Sequence, residues 1–381
     1  MTHRLAIVGG EAVFPVRGTL DRCDVLIEGA SISRMGSSLA DAVGDIEVID
    51  ATELYVAPGF IDLQVNGGFG VDFAEADADG LRQATQGLAS HGVTSFLPTL
   101  ITAPIDAARA SMAVVQEVGL PQVLGVHIEG PFISPDKHGT HNPQYMLTPS
   151  LDRLDQLTEG YEDLIKLFTL APELPSAHEL IARVGTFAVP AIGHSDATYG
   201  ETRAAFDAGV AMVTHLFNAM SGLHHRDPGV VGAALVADVM AGLIVDGVHV
   251  HPAVVDLAIR CKGTDGICLV SDAISATGMG DGRWPLGDLT LEVADGVARN
   301  PEGRLAGSVL TLDRAIGNLM TFANVSLPEA IRTATHNPAR LLGLGDRKGD
   351  LTPGMDADLV IFDDDLTVHY TLSAGEVVFA Q

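Results

Sequence analysis

The sequence predicts a (β/α)8 TIM-like barrel with a small β-sandwich domain built from both chain ends, and three observations carry that prediction. After Ala57-Pro58-Gly59, eight apolar strand-like runs alternate with Ala-rich helical stretches, the rhythm of a parallel sheet whose crossovers are helices. The N-terminal segment and the C-terminal tail lack that rhythm and read as short strands separated by Gly, Asp and Ser turns. At 381 residues the chain has the length of one α/β barrel plus an appendage.

The elements follow in order. LAIVGG, CDVLIEGA, SISRMG and DIEVIDA are the strands of the N-terminal part. The barrel strands are FIDLQVNG (60–67), GVTSFLPTL (92–100), QVLGVHIEG (122–130), LIKLFTLAPE (164–173), TFAVPAIGH (186–194), VAMVTHLFN (210–218), AGLIVDGVH (241–249) and GICLVSDA (266–273). An open doubly wound sheet would need fewer strands and a Gly-rich nucleotide turn after the first, and no GxGxxG or Walker sequence follows any of the eight. The tail GDLTPGMDADLVIFDDDLTVHYTLSAGEVVFA returns to short alternating strands and is expected to join the N-terminal segment. The expected domains are 1–57 plus 350–381 for the sandwich and 58–349 for the barrel.

Composition narrows the partners. Forty-nine acidic against 22 basic residues give a net charge of −27, a field that repels nucleic acid and anionic membrane surfaces. No apolar run approaches the ~18 residues of a membrane span, and the N-terminal apolar stretch is short and broken by glycines and Glu11. Cys23, Cys261 and Cys268 are odd in number and lack metal-type spacing, so they read as reduced core thiols. These features describe a soluble, unprocessed, cytoplasmic protein without nucleic-acid or membrane partners. Any anionic ligand needs local positive charge.

Barrel active sites lie at the carboxyl ends of strands. Glu129, His194, His215 and Asp272 each end an apolar run. A divalent ion such as zinc takes imidazole and carboxylate ligands and leaves a position open for water, and Glu129, His194 and His215 supply a His2Glu set. A lone strand-end histidine is more often a buried, hydrogen-bonded core residue; three such residues together point to a metal. Asp272 lies in SDAISATG, a plausible helix start or turn, and without a neighbouring metal reads equally as a helix cap or as a proton carrier.

APGFIDLQVNG (57–67), GVTSFLPT (92–99), HIEGPF (127–132), GTHNP (139–143), GHSDA (193–197), THLFNAM (214–220), DGVHV (246–250), LVSDA (269–273), LAGS (305–308), TATHNPAR (333–340) and GDLTPGMDADLVIFD (349–363) carry a specific resemblance. Through them the chain resembles, essentially end to end, the N-acetylglucosamine-6-phosphate deacetylase family of the amidohydrolase superfamily. The glutamate of HIEGP and the arrangement of GTHNP and HLFNAM separate that family from hydantoinases and dihydroorotases. The resemblance implies one divalent ion per subunit, zinc with Fe2+, Co2+ or Mn2+ as alternatives, held by Glu129, His194 and His215. It implies Asp272 as catalytic acid/base and His141 as its partner at the acetamide carbonyl. Thr140, His141 and His249 are then expected near the carbonyl and sugar hydroxyls, Asn218 and Ala219 at the sugar phosphate, and Leu305, Ala306 and Gly307 along the pocket wall. Arg226 is expected to bind phosphate across a homodimer interface. The implied reaction converts N-acetyl-D-glucosamine 6-phosphate to D-glucosamine 6-phosphate and acetate, in amino sugar catabolism and cell-wall recycling. The alternatives are a deacetylase of the galactosamine epimer and, from a different class, a catalytically silent sugar-phosphate-binding scaffold.

One departure concerns the superfamily. Where many amidohydrolases carry His-x-His at the end of strand one, this chain has Gln64-Val65-Asn66. Amides are poor ligands for a tight divalent site, so one well-occupied metal is expected rather than two. Gln64, Asn66, His127 and His225 are read as surrounding the site, with His127 holding its neighbour Glu129 by a hydrogen bond. His224-His225-Arg226 reads as an anion-binding loop, because adjacent imidazoles point apart and Arg cannot ligate. Asp196 faces the same way as His194 and is read as orienting a loop. His91, His178, His251, His336 and His369 are read as structural, with His336 at the end of a helix that turns at Asn-Pro. Lys166 lies mid-strand, so no strand-end lysine is available as a carbamate bridge.

Overall fold

In a computed structural model describing residues 3–37, 39 and 46–381, the eight apolar runs form one parallel sheet. Its strands are β1 (Phe60–Val65), β2 (Val93–Ile101), β3 (Val126–Glu129), β4 (Ile165–Leu170), β5 (Val189–Ile192), β6 (Met212–Val213), β7 (Met240–Leu243) and β8 (Ile267–Leu269), each paired with the next. β1, β3 and β7 are buried throughout, which is why they read as continuous apolar runs rather than alternating ones. The strands are shorter than the runs that announced them, most of all β6 and β8, because the chain leaves the ladder just where it turns functional side chains toward the axis. The last gap, between β8 and β1, is bridged by backbone bonds: Asp272 N–H donates to Gln64 O at 2.9 Å and Asn66 N–H to Ala273 O at 2.7 Å.

Among the described residues, ten helices cover the barrel: α1 (Ala78–Ala89), α2 (Ile105–Val118), α3 (Leu151–Thr158), α4 (Ala177–Val184), α5 (Tyr199–Asp207), α6 (Gly229–Val236), α7 (Pro252–Lys262), α8 (Leu312–Ala323), α9 (Leu327–Ala334) and α10 (His336–Leu341). Their starts follow capping chemistry: Asp77 accepts from Gly80 N at α1, and Thr198 and Glu201 form a reciprocal box at α5. α2 stops at Gly119, whose φ of 56° suits a residue without Cβ. Leu81, Ala84 and Leu88 of α1 show the buried stripe at helical spacing. Among the described residues, no helix is long and apolar enough to cross a membrane.

The chain ends form two sheets. One holds Ser31–Gly36, Asp24–Glu28, Arg4–Val8 and Glu47–Asp50; the other runs Glu376–Ala380, Val368–Ser373, Leu359–Phe362, Tyr55–Pro58, Glu11–Phe14 and Thr19–Arg22. Leu5, Ile27, Val56, Leu359 and Ile361 share a core separate from that of the barrel. Leu359–Phe362 pairs antiparallel with Tyr55–Pro58, the strand that leads into β1. We propose the domain limits 1–57 plus 350–381 and 58–349 on this pairing; residues 1, 2, 38 and 40–45 of the first unit lie outside the described residues.

Several local expectations need correction. A third sheet, Gly282–Leu286, Leu289–Ala294 and Val297–Arg299, follows β8 and packs on Ile274, Ala276 and Ala306. Of the two readings of SDAISATG, helix start or turn, the structure has the turn, at Ile274–Thr277. The break near His336 falls at Thr335 (φ −134°, ψ −78°), and Asn337-Pro338 opens the next short helix, where proline costs no hydrogen bond. Cys268 is a core thiol pushed by burial up to about 12, whereas Cys261 is exposed on α7 and Cys23 half-buried.

Candidate active site

Four side chains converge from four strand ends. Glu129 closes β3, His194 and His215 follow β5 and β6, and Asp272 follows β8. His194 (φ 49°), His215 (φ 31°) and Asp272 (φ 50°) are all left-handed, a conformation that costs a non-glycine residue about 1–3 kcal/mol and persists only where the surroundings enforce it. All four residues are buried.

The geometry at their meeting point fits a divalent ion. Glu129 Oε1 lies 2.9 Å from His215 Nε2 and 3.2 Å from His194 Nε2, and the two nitrogens are 3.1 Å apart. A tetrahedral ion with bonds of ~2.0–2.1 Å places its ligand atoms ~3.3 Å apart, close to this triangle. His194 Nδ1 is 2.9 Å from Lys137 O; a carbonyl only accepts, so Nδ1 carries the hydrogen and Nε2 turns its lone pair inward. Burial alone would raise Glu129, but hydrogen bonds and charge from His194 and His215 hold its carboxyl well below the usual range. Burial disfavours an imidazolium at His215, yet Glu129 more than offsets it and raises that ring. The triangle therefore draws positive charge, a proton or a cation in its place.

Gln64 and Asn66 join the carboxylates. Gln64 Nε2 donates to Glu129 Oε1 and to Asp272 Oδ1, both at 3.2 Å, and Asn66 Nδ2 donates to Asp272 Oδ1 at 2.7 Å. Burial, followed by the negative charge of Glu129, pushes Asp272 up to about 6, where a carboxyl can both take and return a proton near neutrality.

His141 comes from the loop after β3. Its Nδ1 receives the Thr102 backbone N–H at 3.2 Å and lies 2.8 Å from the Thr102 hydroxyl. A backbone amide only donates, so Nδ1 is the acceptor and the ring hydrogen sits on Nε2. Burial holds this imidazole well below its usual range, leaving a neutral N–H donor 3.8 Å from Glu129 Oε2. His249 is held by Asp246, Nδ1 to Oδ2 at 2.7 Å.

These groups line a cavity of about 260 Å³ together with Asn66, Thr140, Asn218, Ala219, Leu305 and Gly307, at the small end of ligand sites and sized for a monosaccharide. Thr140 Oγ1 donates to Leu305 O at 3.1 Å, drawing the 305–307 segment to the wall. Gly307 has φ 58° and a Cβ there would lie 2.4 Å from Ile274. Ala306 instead packs into the third sheet's core and does not line the cavity. His225 and Arg226 sit on an exposed loop with His225 Nε2 2.6 Å from Arg226 Nη1, outside the cavity of this chain. Asp196 pairs with Lys137 at 3.2 Å.

His127 departs from expectation. It does not bond Glu129; its Nδ1 lies 3.3 Å from Thr99 Oγ1 and its Nε2 2.7 Å from Thr169 Oγ1, which meets Thr214 Oγ1 at 2.7 Å. This polar belt lies one layer beneath the ligands, because alternation along β3 places His127 on the same face as Glu129 but one step deeper. Gly193 makes the belt possible: a Cβ there would lie 2.6 Å from Thr169 Cγ2 and 3.0 Å from Thr214 Cβ. Burial lowers His127 to about 4, so it stays neutral. Thr102, Lys137 and Asp246 escaped the sequence reading; Asp246, three residues before His249 in DGVH, was the one with a usable signal.

A barrel with a metal-type ligand triangle at its strand ends and a proton carrier beside it is the architecture of a metal-dependent hydrolase. The chain belongs to the amidohydrolase family, whose model matches residues 55–378. It is 40% identical over 343 residues to the N-acetylglucosamine-6-phosphate deacetylase of Bos taurus, covering 85% of this chain and 83% of the relative. It is 38% identical over 339 residues to the N-acetylgalactosamine-6-phosphate deacetylase of Escherichia coli O157:H7, covering 87% and 90%. An aspartate-to-alanine variant of the N-acetyl-D-glucosamine-6-phosphate deacetylase from Mycobacterium smegmatis, solved with N-acetyl-D-glucosamine-6-phosphate, superposes with a TM-score of 0.91 at 33% identity, over 100% of both chains.

Proposed function

We propose that this chain is a metal-dependent deacetylase that hydrolyses N-acetyl-D-glucosamine 6-phosphate to D-glucosamine 6-phosphate and acetate. The observation that carries the reading is the ligand triangle with Asp272 and the His141 N–H beside one monosaccharide-sized cavity. Glu129, His194 and His215 would hold one divalent ion, and their mixed imidazole and carboxylate chemistry favours zinc. When bound, such an ion supplies Lewis acidity, lowering the pKa of water toward ~7 and polarising the acyl oxygen.

The chain's own residues supply the rest. Gln64 and Asn66 both bond Asp272 Oδ1, which leaves Oδ2 for proton transfer. Asp272 accepts the proton of the attacking water and returns it to the nitrogen of the leaving amine, which departs poorly unless protonated. His141 Nε2–H donates to the acyl oxygen as negative charge develops there. His249, backed by Asp246, holds a sugar hydroxyl.

At the phosphate end, φ is positive at His215, Phe217 and Ala219 and negative at the residues between them. The Leu216 and Asn218 amides are spent on Gly242 O and His215 O, so the Phe217 and Ala219 amides are the ones that would face an anion there. Asn218 and Ala219 serve the phosphate there, with Arg226 delivered from the second subunit of a homodimer. The reduced thiols are consistent with a cytoplasmic enzyme.

Acetate release from N-acetylglucosamine 6-phosphate, its galactosamine epimer and unphosphorylated N-acetylglucosamine, assayed in parallel on metal-loaded protein, tests the proposal. Preferred turnover of the first substrate is expected. Preference for the epimer would reassign the substrate, and no release from any of the three with metal bound would leave a silent scaffold.

A further inference from the structure

We propose that Glu173 is a positioning residue for the metal site, a carboxylate off the cavity wall that locks the loops bearing His194 and His215 to one another. This rests on the metal-ligand reading of the triangle above. His194 and His215 leave their strands with left-handed backbone, φ 49° and 31°, a conformation that persists only where neighbours over-determine it.

At His194 those neighbours can be named. Its carbonyl accepts from Ser134 N–H at 2.8 Å and its ring is fixed by Lys137 O, both from the segment after β3. The next residue is held from elsewhere. Ser195 is fully buried, and its backbone is stitched to the loop after β6. Ser195 N–H donates to Ala219 O at 3.2 Å, and Ser221 N–H donates to Ser195 O at 3.0 Å. Ser221 Oγ donates in turn to Ala197 O at 2.6 Å. The two histidine loops therefore meet at Ser195.

Glu173, on the loop after β4, clamps that junction. Its Oε2 accepts from Ser195 Oγ at 2.7 Å and its Oε1 from Asp196 N–H at 2.6 Å. Ser195 Oγ also accepts from Ala197 N–H at 3.1 Å, so its own hydrogen is left for Glu173. Two donors on two oxygens suit a carboxylate, whereas glutamine offers one accepting oxygen. Glu173 does not line the cavity, so its effect reaches the site through the backbone of the ligands. Without this clamp the turn after His194 can relax toward an ordinary φ, and Nε2 moves away from Glu129 Oε1 and His215 Nε2. Contacts that orient metal ligands in this way are worth about 10–100-fold in affinity.

The test compares wild type, Glu173→Ala, Glu173→Gln, Ser195→Ala and the Glu173→Ala/Ser195→Ala double variant, all full length. Zinc affinity is read by chelator competition, and kcat and KM for acetate release at matched metal occupancy. Glu173→Ala should weaken zinc binding roughly 10–100-fold and lower kcat, with KM changed less than about twofold. Glu173→Gln should recover part of the affinity, and the double variant should bind no more weakly than Glu173→Ala, because both substitutions break one link. Unchanged zinc affinity in Glu173→Ala, or additive losses in the double variant, overturns the proposal. An equal loss in Glu173→Gln also overturns it, since Glu173 would then act by its charge and not by anchoring the loop. Should Glu173→Ala fail to fold, Glu173→Gln and Ser195→Ala decide by the same affinities. If wild type takes up no divalent ion, the metal reading fails separately. Hydrogen exchange then decides for Glu173, with faster exchange across residues 193–221 in Glu173→Gln supporting the clamp and unchanged exchange overturning it.

Discussion

The floor and the rim of the cavity are built on opposite terms. The floor holds Glu129, His194, His215 and Asp272, buried at strand ends and braced by Gln64, Asn66 and a belt of hydroxyls and an imidazole. The rim holds Lys137 and Arg304, long side chains on loops that pair with neighbours in partly or fully open positions; Arg226 would join them only from a second subunit, as proposed. Groups that handle protons and a metal need fixed geometry, whereas groups that capture a diffusing dianion need reach and exposure. Losses at the floor should therefore appear in kcat and metal affinity, and losses at the rim in KM.

The largest effect is expected at Asp272. Asp272→Asn should lower kcat by roughly 10²–10⁴-fold with metal content unchanged; near-normal acetate release would end its assignment as proton carrier. In wild type, only the ionised carboxylate can accept the water's proton, so kcat should fall on the acid side; Asp272 stands at about 6 without an ion, and a bound cation lowers it from there, so the fall is expected below pH 6. A profile flat down to pH 4 would place that proton transfer elsewhere.

Next comes the belt. His127→Leu removes the link between Thr99 and Thr169 without touching a ligand, and should weaken metal binding by roughly 10–100-fold in chelator competition. Unchanged affinity would show that the ligands hold their geometry without it. With Arg226 delivered to the phosphate by a second subunit as proposed, Arg226→Ala should raise KM about tenfold, the scale of one charged hydrogen bond, with kcat nearly preserved. An effect on kcat instead would blur the division.

The smallest effect concerns Asp62, below Gln64 in β1. Its Oδ1 accepts from Gln64 N–H at 3.2 Å and Ser271 N–H at 3.3 Å, while Oδ2 has no partner. Burial raises its carboxyl from the usual 3.8 to about 7. The native state thus keeps a proton that the unfolded chain has released, and stability from this group is lost as pH rises from about 4 to about 7, by on the order of 2–4 kcal/mol. Asp62→Asn should flatten the change in melting temperature between pH 5 and pH 8. An equally steep dependence would assign it to other groups.

The floor was legible in the sequence because burial and polarity conflict there: a His or Glu ending an apolar run must be explained by chemistry. The eight runs were legible for the same reason, since strands covered on both faces leave no alternation to misread. The third sheet was missed although Leu291 and Val293 alternate with exposed neighbours, because its strands lie between barrel elements and carry no turn from one domain to another. His127 was placed on the right face but given the wrong partner, since periodicity fixes direction and not which hydroxyls arrive from neighbouring strands. Lys137 was invisible. A lysine in a loop looks like any solvated charge until the fold brings Asp196 and the cavity beside it.

The closure between β8 and β1 bears on when the protein becomes an enzyme. Glu129, His194 and His215 come from the middle of the chain and can be brought together before synthesis is complete. The Gln64 and Asp272 side chains meet across a separation of 208 residues, and the backbone bonds that seat Asp272 are the same ones that complete the circle of strands. A partly emerged chain therefore has all three residues of the triangle while Asp272 still lacks its seat, and sealing the ring is what brings the two together.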